Sequence, residues 1–371
     1  MKVVHLIPAG SAFTLFVRDQ ASKADQSIME YTFLPYMGII KPEFFWSLFK
    51  RYKGNKETLF VFHQVPFLTL LCISYLVRDL KYALYFWGGD YYLTFLPESY
   101  LEARAYSKSD TSKKVVLDRN VYFSCWFKLR RFLSHIVLKR SAGIVSLSHK
   151  QFRILKSQHI KLFNSSLTTP FYKLVGYNSY TKPEFRERKH CKEITFLICH
   201  SATQSVHHLN SISLIRRYSD FWNVKVNIRG FLSYGGASTD AIDLLEATLM
   251  QESRFAHSVV FERNFLKNDD LIEKLKDIDV AVFSCIRDEG VSLLSQLVGM
   301  GGLLVFDKLS ANFDFFKKYC ANKTLDFNDF ISISPETLMG LRNIRPNEPR
   351  TLMRYEELNS MKYNNRKLVI K

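Results

Sequence analysis

Two short apolar runs late in the chain, Val-Ala-Val-Phe at 280–283 and Leu-Leu-Val-Phe at 303–306, show no polar alternation, so each must be buried on both faces. Between them, residues 291–298 space their apolar side chains as a short helix packed on those strands would. Strand, helix and strand at this spacing make a parallel βαβ unit, which constrains the fold more than any other feature of the sequence. The turn from the first strand into the helix holds Arg287, Asp288, Glu289 and Gly290, followed by Val291 and Ser292. In an open α/β sheet this is the edge where ligands bind, because free helix N–H groups and the positive end of the helix dipole face an arriving anion. Asp288 and Glu289 are placed to accept hydrogen bonds from hydroxyl groups, with Arg287 beside them, while Gly290, Val291 and Ser292 hold a phosphate. The same residues also suit an ordinary turn with solvated acids.

The alternation runs through the whole chain. Apolar strands are predicted at 2–7, 58–62, 82–86, 114–117 and 143–147, with helices at 66–77 and 120–140 and another from residue 148. Residues 176–192, with Gly176, Asn178, Ser179, Pro183 and mixed charge, read as a linker, after which the pattern restarts. Strands at 194–199, 224–229 and 259–262 and helices at 206–218, 240–251 and 269–276 lead into the opening stretch, and the last thirty or so residues read as a surface helix and tail. A chain of 371 residues with 47% hydrophobic content fills two cores. The expectation is α/β, two Rossmann-like domains facing a central cleft, at 1–180 and 190–371.

Charge separates the two halves. Residues 1–190 carry 29 Lys and Arg against 13 Asp and Glu, whereas residues 191–371 carry 23 against 22. The excess in the first half calls for a polyanionic partner: nucleic acid, an anionic membrane surface or a phosphorylated substrate. Nucleic acid is the weaker choice, since the basic residues are dispersed over a Rossmann-like pattern without a recognition motif. The six cysteines are scattered singly and read as buried thiols in a reducing compartment. No apolar run reaches bilayer-spanning length, and the apolar N-terminus is too short for a signal peptide, so a cytoplasmic protein is expected.

Several residues are candidates for chemistry. His63 and Asp90 each stand at the predicted carboxyl end of an N-terminal strand, and Asp90 follows Gly88 and Gly89, which let backbone approach a ligand. Trp87 and Tyr91 offer flat faces beside it. A strand-end histidine bonded to backbone and an aspartate N-cap are the plainer alternatives. In the second half, Ser201 and Ser205 lie in a strand-to-helix loop that makes a second anion site, although Ser205 also fits a helix N-cap, and Arg229 ends the next predicted strand. The helix at 120–140 interleaves aromatics with Lys128, Arg130 and Arg131, which suits either an anionic bilayer surface or core packing with a basic edge. Asp277 and Asp279 have DxD spacing, but at the amino end of a strand they read as a solvated connection, and no metal is expected.

Phe62-His63-Gln64, the segment Phe86-Trp87-Gly88-Gly89-Asp90-Tyr91-Tyr92, the Ser201 loop ahead of His208, and Arg287-x-x-Gly290 through Gly301 together resemble the bacterial 4-acetamido-4,6-dideoxy-galactosyl transferases. The resemblance spans roughly residues 58–330, and the tryptophan-glycine-x-aspartate segment is its most specific part. It implies a two-domain transferase fold, the GT-B type, with a dTDP-sugar donor in the C-terminal domain; Ser201, Ser205, Arg229 and the 287–292 loop are the residues expected to bind that donor or a UDP-sugar. It also implies a lipid-linked saccharide acceptor and a peripheral place on the inner face of the bacterial inner membrane; Asp90 and His63, from their strand-end positions, are the expected catalytic groups, with no cofactor. The loop Cys199-His-Ser-Ala-Thr-Gln-Ser-Val-His207-His208 departs from the family pattern by losing its small glycines and acidic residues, so the donor sugar and nucleotide stay open. A nucleotide-sugar epimerase of the same architecture is the competing enzyme class.

Overall fold

A computed structural model of the chain describes residues 2–8, 29–34, 50–51, 58–63, 82–85, 128–129, 132–133, 136–137, 143–145, 184–188, 193–203, 206–233, 239–285 and 289–346. The described residues up to 145 belong to one compact unit and those from 184 to 346 to a second.

The first unit holds β1 (Lys2–Pro8), β2 (Met29–Leu34), β3 (Thr58–His63), β4 (Tyr82–Tyr85) and β5 (Gly143–Val145) in one parallel sheet of order β2-β1-β3-β4-β5. Val4, Leu6, Phe60, Phe62 and Leu84 are buried, as the unalternated apolar runs require. β2 was not expected from the sequence; it is an edge strand paired with β1 from Val3 to Pro8. The strand expected at 114–117 lies outside the described residues. Direction reverses between β1 and β3, and His63 ends β3 opposite Tyr85 of β4, at the carboxyl edge.

The described pieces of the 120–140 segment are helical. Leu133 and Val137 are buried, and the Tyr82 hydroxyl on β4 donates to Val137 O at 2.6 Å. Leu129 and Phe132 on the same stripe are 48% and 58% exposed, with Lys128 exposed beside them. The helix therefore uses one edge of its apolar stripe for the core and leaves the other in solvent. Trp87, Asp90, Tyr91, Arg130 and Arg131 lie outside the described residues.

The second unit runs β6 (Glu193–Leu197), α1 (His208–Trp222), β7 (Lys225–Phe231), α2 (Thr239–Glu252), β8 (Ser258–Glu262), α3 (Asn268–Leu275), β9 (Val280–Phe283), α4 (Val291–Gly299), β10 (Leu303–Phe306), α5 (Ala311–Tyr319), β11 (Thr324–Asp326), α6 (Phe327–Ser332) and α7 (Pro335–Asn343). Its six parallel strands are ordered β11-β10-β9-β6-β7-β8. Ile194, Phe196 and Ile198 meet Ile212, Ile215 and Tyr218 of α1 and Phe330 of α6 in the core, where Tyr218 and Phe330 stack at 4.3 Å. Past β10, where the sequence shows only a surface helix and tail, the chain adds β11 and the helices α5, α6 and α7.

The amino edge of this sheet corrects the reading of the DxD pair. Asp277 is solvated, its side chain 65% exposed, but Asp279 is fully buried. Asp279 Oδ2 accepts from Arg188 Nη1 at 2.8 Å and the Thr195 N–H at 2.9 Å, and Oδ1 accepts from Arg342 Nε at 3.0 Å. Burial pushes this carboxyl up against the pull of Arg188, the Thr195 amide and Arg342. Asn343 grips the same strap in both directions, accepting from Arg188 N and donating to Arg188 O, each at 3.0 Å. Residues 184–188, inside the expected linker, are thus pinned to the end of α7. Fully buried Lys323 donates to Gly301 O, Leu341 O and Arg342 O at 2.7–2.9 Å, two of them carbonyls in the last turn of α7. Burial and the charge of Arg342 take its pKa down to about 7.

Candidate functional site

From β6 the chain moves outward through β7 and β8, then returns to place β9 on the other side of β6. Sheet direction reverses there, and the carboxyl ends of β6 and β9 open the crevice in which open α/β sheets bind ligands. Two loops line it, one after β6 carrying His200, Ser201 and Thr203, the other after β9 carrying Ser284, Cys285, Glu289 and Gly290.

Each loop feeds a helix without a side-chain cap. α4 starts from Gly290 at φ 65°, which has no side chain to cap with, and α1 starts from His207 at φ 53°, whose side chain makes no capping bond. Ser205 is therefore not the N-cap of α1: the helix begins two residues later than that reading requires, with His207 as its cap, and Ser205 itself lies outside the described residues. The first-turn N–H groups and dipoles of both helices stand at the edge where an anion would sit. Gly290 is required twice. Its φ favours glycine, and a Cβ there would lie 3.1 Å from two His200 ring atoms and 3.3 Å from the Phe283 ring.

The side chains form a connected polar group. The His200 ring stacks on Phe283 at 5.7 Å and 16°, and its Nε2 stands 3.9 Å from Oε2 of nearly buried Glu289. Thr203 Oγ1 donates to the same Oε2 at 3.4 Å, and Ser201 Oγ lies 2.7 Å from Thr203 Oγ1. A carboxylate only accepts, so with Thr203 donating to Glu289 the Ser201 hydroxyl donates to Thr203. His208 at the head of α1 donates from Nε2 to Ser201 O at 2.8 Å; burial takes its pKa to about 4 and keeps it neutral. Ser211 and Ser284 hydroxyls meet at 3.0 Å and tie α1 to the loop after β9. Asn312 of α5 donates from Nδ2 to Glu289 O at 2.7 Å, with Cys285 Sγ at 3.6 Å. The Cys199 thiol is pushed up to about 12 by burial and points to Phe231 O, so it is a packed hydrophobe and not a nucleophile. Cys285 and Cys320 are buried as well.

Of the residues expected on the donor side, Ser201, Glu289 and Gly290 come together here, and Val291 opens α4. Arg229 is half-buried on β7 opposite Leu197, on the face that alternates with the core residues Val226 and Ile228. Arg287, Asp288, Ser205 and the Ser292 side chain lie outside the described residues. His200, Thr203, Ser211, Ser284 and Asn312 were not singled out as site residues from sequence. Among the described residues, no three His, Cys, Asp or Glu side chains converge to hold a metal ion.

No protein-family model and no curated protein matches the chain in sequence. Solved structures do match in fold. Sucrose-phosphate synthase from Thermosynechococcus elongatus superposes with a TM-score of 0.62 at 11% identity, over 99% of each chain. A UDP-forming α,α-trehalose-phosphate synthase from Burkholderia vietnamiensis gives 0.53 at 11% identity over 99% of this chain and 96% of that one. The corresponding Burkholderia xenovorans protein, in complex with glucose-6-phosphate, gives 0.54 at 8% identity over 92% and 94%. The fold is α/β of the GT-B type, built from Rossmann-like units.

Proposed function

We propose that the protein is a glycosyltransferase of the hexosyltransferase kind, moving a deoxy- or aminosugar from a UDP- or dTDP-sugar to an undecaprenyl-diphosphate-linked saccharide of a surface polysaccharide. The observation that carries this reading is the switch point of the second unit, where two helix N-termini without side-chain caps converge on buried Glu289. Helix N–H groups stabilise the negative charge that grows on a departing diphosphate, and a nearly buried carboxylate discriminates among sugar hydroxyls. Ser201, Gly290, Val291 and Ser292 belong to that donor site, with Arg287, Asp288, Ser205 and Arg229 as further contributors. Helix dipoles and Arg287 carry the charge stabilisation, so the proposal includes no metal and no cofactor.

The GT-B fold supports the class, and the names of the Burkholderia proteins supply the nucleotide diphosphate as leaving group. The resemblance to 4-acetamido-4,6-dideoxy-galactosyl transferases supplies the lipid-linked acceptor, and 4-acetamido-4,6-dideoxygalactose is one candidate for the sugar moved. Residues 1–180 are assigned the acceptor, with Asp90 as catalytic base or charge stabiliser, His63 as its helper, and Trp87 and Tyr91 as acceptor contacts. Exposed Leu129 and Phe132 beside Lys128 support a reading in which this helix, with Arg130 and Arg131 of the same segment, meets an anionic inner-leaflet surface, and the proposed location is the cytoplasmic face of the inner membrane.

The test is thermal unfolding with a panel of nucleotide sugars in the presence of EDTA. A donor at about 100 times its Kd stabilises by about 2.7 kcal/mol. Absence of stabilisation by every UDP- and dTDP-sugar would overturn the proposal.

A further inference from the structure

The backbone of Glu289 is gripped directly by a side chain from α5, that of Asn312. Asn312 is fully buried near the start of α5, where its own N–H is fixed by the Ser310 hydroxyl, the N-cap of that helix, at 3.2 Å. Its amide crosses to the loop after β9 and donates to Glu289 O at 2.7 Å. The amide orientation is determined by this bond, since the flipped form would set Asn312 Oδ1 against another acceptor. Oδ1 itself is buried with no hydrogen-bond partner among the described residues. A buried amide that leaves half its capacity unused is a poor choice for packing alone, because leucine has the same branched four-atom side chain with no polar atom to desolvate. What only the amide brings is its pair of donors to this loop, the shorter bond to Glu289 O and a longer one to Cys285 Sγ at 3.6 Å.

That carbonyl belongs to the peptide joining Glu289 to Gly290. A trans peptide is planar, with its C=O and N–H pointing in opposite directions. Holding Glu289 O toward α5 therefore turns the Gly290 N–H away from α5. It also sets the backbone direction from which the Glu289 side chain departs and from which α4 starts. Gly290 is tolerant of rotation, having no Cβ, so the orientation of this peptide needs an outside hold.

We propose that Asn312 is a positioning residue of the donor site: by binding Glu289 O it orients the 289–290 peptide so that the Gly290 N–H and the first turn of α4 meet the donor diphosphate. The inference rests on the donor-site reading given above, and the experiment separates the two. UDP, dTDP and inorganic pyrophosphate are titrated calorimetrically into the wild-type protein, Asn312→Leu and Asn312→Asp, with thermal unfolding recorded for each. Asn312→Leu is expected to unfold within a few degrees of wild type, since losing the bond to Glu289 O is offset by removing the unpaired Oδ1, yet to bind UDP or dTDP at least tenfold more weakly. Asn312→Asp, which sets a carboxylate against Glu289 O, is expected to lose affinity at neutral pH and regain part of it in acid, where a protonated carboxyl can donate. With saturating acceptor the loss appears in the donor KM and not in kcat. If the wild-type protein binds none of the three ligands, the donor-site reading fails. If it binds them and Asn312→Leu binds equally well, or loses stability while the folded protein keeps full affinity, Asn312 is structural only and the inference is overturned.

Discussion

Asp279→Asn tests the amino edge of the second unit. The substitution keeps shape and removes one negative charge from a position with no solvent exposure, where Arg342, itself buried, and Arg188 both direct guanidinium N–H groups at the carboxylate. The asparagine amide can still accept from Arg342, but its NH2 group then faces the Arg188 and Thr195 donors. Leaving a buried cation without its counter-charge costs about 3–5 kcal/mol. A domain of this size loses about 2–4 °C of midpoint per kcal/mol, so the transition of the second unit should fall by roughly 6–20 °C. Asp277→Asn is the control. Its carboxylate is 65% exposed and 3.6 Å from the same Arg188, a surface pair worth about 0–1 kcal/mol. Scanning calorimetry of both variants, with Trp222 fluorescence reporting the second unit through its bond to Ile331 O, gives the comparison. Equal and small effects of the two substitutions would refute the reasoning, because Asp279 would then be no more than the solvated residue its spacing implies.

Gly290→Ala should destabilise by about 1–3 kcal/mol through left-handed strain and displace the His200 ring, weakening nucleotide binding; unchanged binding in a calorimetric titration would count against the packing described. Lys323 has a folded pKa of about 7 against an ordinary 10.5, so the unfolded chain binds more protons between those values and stability should rise with pH across that window. The slope should be absent in Lys323→Met, and an identical pH dependence of the unfolding midpoint in both proteins would contradict it. Replacing exposed Leu129 and Phe132 by serine should lower binding to vesicles containing anionic lipid without shifting the unfolding midpoint by more than a degree or two. Unaltered vesicle binding would remove that helix from the membrane surface.

What could be read from sequence follows burial. The strands at Val280–Phe283 and Leu303–Phe306 lie inside a parallel sheet covered on both faces, and such strands announce themselves as unbroken apolar runs. β2, an edge strand reading Met-Glu-Tyr-Thr-Phe-Leu, lacks that signature, and β11 is three residues long. The helices after β10 did carry local signals. Ser310 caps α5, and Ser334 followed by Pro335 opens α7, with the serine side chain accepting from Thr337 N. In the site, Ser201, Glu289 and Gly290 were legible because strand-to-helix turns at a carboxyl edge are recognisable locally. The pairing of Glu289 with Thr203 and His200 and the grip of Asn312 on Glu289 O are contacts between chain segments far apart in sequence, set only once the β6–β9 reversal forms. Asp279 shows the opposite failure. Its spacing invites comparison with exposed metal-binding pairs, and only the tertiary position of Arg188 and Arg342 explains its burial.

Calorimetric titration of UDP- and dTDP-sugars, and of UDP and dTDP alone, into wild-type protein and Glu289→Ala with EDTA present bears most directly on the donor site. The wild type should bind a nucleotide sugar, and Glu289→Ala should lose about tenfold or more of that affinity while holding the bare nucleotide as tightly as before. Equal affinity of both proteins for the nucleotide sugar, or no binding by the wild type, would contradict it.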